Sequence, residues 1–156
     1  MRGYRADIAF DGERALPGGA LVLVDDGVIV AVEPASAAAP DGCPVTHIPG
    51  TALLPGLIDT PVHLCADSSP AALDRVPEKT PTELHAVVAA SLELHLRAGV
   101  TSVRDLGDHH WTVVDLGQPA DAPTIVAAGP PLTTPKGHCW SMGGETDGAA
   151  PPSSRS

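Results

Sequence analysis

Aromatic residues are nearly absent: Trp111, Trp140, Tyr4 and Phe10 are the whole supply, 3% of 156 residues. Any core must therefore be built from Ala, Val, Leu and Ile. Basic residues are also scarce, with 9 Lys and Arg against 19 Asp and Glu and a net charge of −10. Without a Lys/Arg cluster to overcome that charge locally, phosphate backbones and anionic membrane surfaces are repelled, which argues against nucleic-acid or membrane partners. No apolar stretch approaches the roughly 20 residues of a bilayer-spanning helix. Met1 to Phe10 alternates charged and apolar residues and lacks the hydrophobic region of a signal peptide. Cys43, Cys65 and Cys139 are odd in number, far apart and without a CxxC spacing, which favours free thiols in a reducing cytoplasm over a disulfide framework.

What is present is a chain able to fold. Hydrophobic residues make up 43% and charged ones 18%, outside the range of disorder. The length suits one ordinary domain or about half of a large α/β barrel, which usually runs to about 250 residues. Residues 1–52 read as short strands. Ala20 to Val24 and Val28 to Val32 flank Asp25-Asp26-Gly27, a hairpin with a three-residue loop. Glu33 to Pro44 reads as a loop, and Val45 to Ile48 as a strand ended by Pro49-Gly50. The expectation is part of a small β-sandwich.

From Leu53 the pattern changes. Leu53 to Asp59 reads as one apolar strand with a tight kink at Pro55-Gly56. Thr80-Pro81-Thr82-Glu83 is a capping box with proline at the first helical position. Leu84, Val87, Val88, Ser91, Leu92, His95 and Leu96 then recur at three- and four-residue steps as one buried face, and Gly99 ends the helix. Val100 to Leu106 follows as a strand finishing in Arg104 and Asp105. Strand, capped helix, glycine and strand make the βαβ unit of a parallel sheet, which carries its active site at the carboxyl ends of its strands. A fainter third unit spans a short segment around Trp111 to Leu116 and a strand from Thr124 to Ala128.

The segment Pro55-Gly56-Leu57-Ile58-Asp59-Thr60-Pro61-Val62-His63-Leu64 resembles the PGLIDxHxH segment that opens the barrel of the metal-dependent amidohydrolase superfamily. LVLVDDGVIVAV resembles the hairpin before it. AGVTSVRDLG and AAGPPLTTPKGHCWSMGGETDG resemble barrel strand 2 and the strand 3 and loop segment of the imidazolonepropionase-like and prolidase-like branch. The four matches, in order, cover most of residues 18 to 148. The resemblance implies an α/β fold: a partial (β/α) barrel of amidohydrolase type over 53–148, preceded by strands of the sandwich over 1–52. It leaves 149–156 as a disordered tail. It further implies hydrolysis of a non-peptide C–N bond, amide or lactam, or of a dipeptide, by water activated on a divalent metal, zinc foremost.

In the family, two histidines two apart on a strand point the same way and grip one metal at the strand end. They are joined by a carboxylated Lys or Glu, two further His and an Asp from later strands. Here the first of the pair is Pro61, which has no ligand atom, and His63 alone remains. His63 is the expected metal ligand, or else a leftover strand-end histidine. By resemblance His138 lines the substrate pocket, or is a solvent-exposed loop residue. Arg104 and Asp105 face that pocket, or form a local ion pair or cap. Asp59 reads as a turn residue or a support for a ligand, and His109-His110 as a polar loop. Cys65 admits a substitute grip with His63, and Cys139 a nucleophile pairing with His138 that adjacent side chains disfavour. His47 and His85 offer no partner to argue from. The expectation is a chain without the later ligands, truncated and inactive alone, whose open sheet invites self-association or a complementary chain. The alternative is a non-catalytic remnant or partner-binding fragment. A small-molecule substrate is expected only once the chain is complemented.

Overall fold

The computed structural model describes residues 1–142, so the expected tail lies outside the described residues, as does the end of the expected barrel segment. The chain divides into two compact units, one ending at Pro55 and the next beginning at Gly56.

The first unit is a five-stranded sheet of β1 (Arg2–Phe10), β2 (Ala15–Leu16), β3 (Ala20–Asp25), β4 (Val28–Pro34) and β5 (Val45–Leu53). β1 runs antiparallel to β2 and β3 and parallel to β5, and β3 and β4 form the expected hairpin. Its loop is two residues, not three: Asp25 pairs with Val28, and Asp26 and Gly27 both take positive φ, at 47° and 76°. That is the turn whose twist matches a hairpin, and Asp-Gly is a favoured sequence for it. The Pro49-Gly50 break does not end β5 but becomes a bulge. Ala6 pairs with Ile48 and Ile8 with Ala52, and the Gly50 N–H donates to Asp7 Oδ2 at 2.6 Å across the bulge. The strands of the expected sandwich are therefore present as a single sheet among the described residues. One face forms an apolar groove of about 290 Å³ lined by Tyr4, Val22, Val24, Ile29, Val32 and Leu53.

The strand expected from Leu53 to Asp59 is two strands. Leu53 pairs with Ala9 in the first sheet, and β6 (Leu57–Val62) starts afresh after Leu54-Pro55-Gly56. Proline has no N–H for either ladder. Gly56 passes so close to the Thr101 side chain that a Cβ there would collide with it. The second unit is then a parallel sheet in the order β6, β7 (Val100–Asp105), β8 (Thr124–Ala127).

Helix α1 (Pro81–Arg97) connects β6 to β7 and starts as its sequence dictates. Thr80 accepts from the Glu83 N–H at 3.3 Å, while Glu83 accepts from the Thr80 N–H at 2.7 Å. Gly99, at φ 85°, supplies the left-handed residue past its end. Leu84, Val88 and Leu92 bury against Val62, Leu64, Val76, Val100, Val103 and Val113, each of the three contributing about 2 kcal/mol. Leu96, counted in the same face, is 39% exposed. A 3-10 helix (Leu73–Glu78), α2 (Thr112–Leu116) and a last 3-10 turn (Trp140–Met142) complete the unit. α1 covers one face of the parallel sheet. The other carries Ile58, 72% exposed, with exposed Arg104 and Val126, and no described element of this unit covers it.

Candidate functional site

His63 directly follows β6, at the carboxyl edge of the parallel sheet. Its ring is half-buried, and Nδ1 is buried without a hydrogen-bond partner among the described residues. Gly107 makes room for it: a Cβ there would lie 2.8 Å from both His63 Nδ1 and Met142 Cε.

The neighbouring strand end holds two fully buried carboxylates. Asp105, the last residue of β7, accepts from the Leu64 N–H at 2.8 Å through Oδ2 and from the Gly107 N–H at 3.1 Å through Oδ1. It thereby ties the residue after His63 to the end of β7 and folds back the loop that follows its own strand. Asp108 accepts from the N–H groups of Val113 and Val114, at 2.8 and 3.2 Å, and from the Cys65 thiol at 3.5 Å. Burial raises both carboxyls above the ordinary aspartate range; their backbone hydrogen bonds oppose the rise. Burial, reinforced by the charges of Asp108 and Asp105, pushes the Cys65 thiol up to about 12. His109 is buried with Nδ1 unpartnered among the described residues, and desolvation followed by neighbouring His110 lowers its pKa. The two rings stand 4.0 Å apart, tilted by 57°.

The expected site residues divide. His63 stands at this edge. Arg104 lies one residue before Asp105, on the exposed face of β7, because neighbours on a strand point to opposite faces. The local ion pair weighed for it with Asp105 does not form: Asp105 takes backbone N–H groups instead. His138 is exposed in the turn before the last 3-10 helix. Asp59 faces α1 and pairs with His95 at 3.4 Å, and Cys65 turns to Asp108. His47, for which the sequence offered no partner, lies 3.3 Å from Asp7. The sequence reading leaves Asp108 out and takes His109 only as part of a polar loop. Their signal was position: they follow a parallel strand's carboxyl end, where such sheets build sites.

Among the described residues no three His, Cys, Asp or Glu side chains gather in a way that would hold a metal ion. A catalytic zinc site needs about three protein ligands and an open position. Two unpartnered imidazole nitrogens, on His63 and His109, beside carboxylates already engaged by backbone N–H groups, do not fit a complete site.

No family model matches the sequence, and no curated protein gives a significant match. Solved structures do. An Xaa-Pro dipeptidase with bound methionine superposes with a TM-score of 0.74 at 20% identity, over 94% of this chain and 37% of that one. An amidohydrolase gives 0.65 at 25% identity, over 84% and 32%. A prolidase complexed with N-methylphosphonate-L-proline gives 0.68 at 24% identity, over 91% and 38%. The fold is thus that of the amidohydrolase class, a mixed, mostly antiparallel sheet followed by a parallel α/β sheet. In particular, it corresponds to the amino-terminal part of amidohydrolase-superfamily proteins. The chain spans about a third of the length of the structures it matches.

Proposed function

We propose that this chain contributes the first strand end of a metal-dependent hydrolase acting on the C–N bond of a small amide, lactam or dipeptide, and that the described residues do not cleave that bond alone. The carrying observation is His63: an imidazole with a buried, unpartnered nitrogen at the carboxyl edge of a parallel sheet, in a fold shared with amidohydrolases and prolidases. A divalent ion, zinc first, would supply water activation in such an enzyme. What this chain's residues do is narrower. Asp105 holds the backbone beside His63, Gly107 leaves space for the ring, and Asp108 anchors the start of α2. The remaining ligands must come from residues outside the described ones or from a complementary chain. Three free cysteines support a reducing compartment, the cytoplasm.

Pro61 favours a second reading, a non-catalytic partner-binding relative, because it stands where the family's other strand histidine would be.

The test is to dialyse the purified protein against zinc, measure bound metal, and assay an Xaa-Pro dipeptide and a simple lactam. Both assays are run with and without a polypeptide corresponding to the rest of a prolidase-type fold. The expected result is no stoichiometric zinc and no turnover alone, with chelator-sensitive turnover in the mixture. An inactive mixture would leave the non-catalytic reading. Turnover by the isolated chain, or its appearance on Pro61→His alone, would overturn the incompleteness argued here.

A further inference from the structure

The last 3-10 turn, Trp140–Met142, packs against the loop that follows β7. Met142 is 3% exposed, and its Cε shares with His63 Nδ1 the space that Gly107 leaves open. The same turn meets His109: beyond that residue's own loop, the group that acts on its ring is the Met142 backbone carbonyl.

The His109 ring sits where only its neutral form is comfortable. It is 6% exposed, and Nδ1 is buried with no partner among the described residues. On a neutral ring that nitrogen is an idle lone pair. On an imidazolium it is a charged N–H donor without an acceptor, which costs far more. The His110 ring, 4.0 Å away, adds like charge. Asp108 and the Met142 carbonyl pull the other way, but Asp108 already accepts from Val113, Val114 and the Cys65 thiol. Cys65 meets the His109 backbone N–H rather than the ring. Burial first, then His110, prevail, and the ring titrates below the ordinary histidine value.

We infer that His109 is an acid-released latch: its neutral ring seats the Trp140–Met142 turn against His63, and protonation of the ring lets that turn go. The seated chain binds fewer protons than one with the ring in water. The latch therefore holds in full above the ordinary histidine value of about 6.5. Each pH unit below that favours release about tenfold, until the seated ring itself titrates. Release uncovers His63 Nδ1 and the space at Gly107. The inference stands apart from the hydrolase reading, since it needs neither metal nor substrate.

Met1 and Met142 are the two methionines of the chain, and Met1 is 53% exposed, so one serves as reference for the other. The test is oxidation of the whole chain by dilute hydrogen peroxide at pH 7.5 and 5.5, with both sulfoxides quantified by peptide mass spectrometry. The Met142 rate relative to Met1 is expected to rise about five- to tenfold at the lower pH, with the far-UV circular dichroism unchanged. His109→Gln cannot take up the charge and should give the same ratio at both pH values. If that variant fails to fold, NMR of the wild-type chain decides: the Met142 methyl signal should move with the same midpoint as the His109 ring. A ratio indifferent to pH, a rise that His109→Gln retains, or separate midpoints would overturn the inference. So would a rise accompanied by loss of the circular dichroism signal, which would mark global unfolding.

Discussion

At the scale of single residues, the site is governed by buried carboxylates whose partners are backbone N–H groups. Asp105 uses one oxygen for Leu64 and the other for Gly107. Asparagine keeps one acceptor and turns an NH2 toward the second donor. Asp105→Asn should therefore cost about 1–3 kcal/mol in urea unfolding, the penalty of a buried unsatisfied group. The pH dependence has a definite sign. Burial raises the native pKa of Asp105 and Asp108 above the unfolded value, so the native state binds more protons between those values. Their contribution to stability is full below the ordinary aspartate range and is lost as pH rises through the raised native value. Carboxyl-carbon NMR titration should place both midpoints above an ordinary aspartate's. Cys65, with its thiol held up to about 12 and its side chain buried, should resist a thiol reagent at pH 8 that labels the half-buried Cys43 and Cys139. Denaturation should expose all three, as counted by absorbance.

At the scale of elements, α1 is the part most legible beforehand, because its signals are local. The capping box, the first-turn proline and Gly99 all act within a few residues of themselves, and each takes the expected conformation. Thr80→Ala should lower stability by about 1 kcal/mol through loss of the cap, and Val88→Ala by about 2 kcal/mol through a core cavity. Both are measurable by denaturant melts. The strands were less legible. Pro49-Gly50 and Pro55-Gly56 are the same dipeptide with opposite outcomes: the first is absorbed as a bulge in β5, the second separates β5 from β6. What decides is non-local. Asp7 caps the first from a neighbouring strand, whereas Thr101 presses on the second from β7.

At the scale of the whole molecule, apolar surface is left uncovered in each unit among the described residues. Ile58 and Val126 lie on the open face of the parallel sheet, and Val28, Ile29, Val30 and Val32 on the β4 edge of the first. Exposed apolar strands of this kind bind other chains or aggregate. The purified protein should bind a hydrophobic dye while keeping native far-UV circular dichroism, and should sediment as species whose size grows with concentration. A monomer that ignores the dye would show those faces to be covered.

Chain chemistry alone dictated the hairpin (though not its two-residue loop), the capped helix and the strand-helix-strand order, since each follows from periodicity and short-range hydrogen bonding. It also placed His63 at a strand end and removed its neighbour's ligand at Pro61. Only the folded chain brought Asp105 to Leu64 and Asp108 to Cys65. Those contacts join residues up to 43 positions apart, and no local rule reaches that far; they depend on how β6 and β7 register against each other once α1 has buried its face.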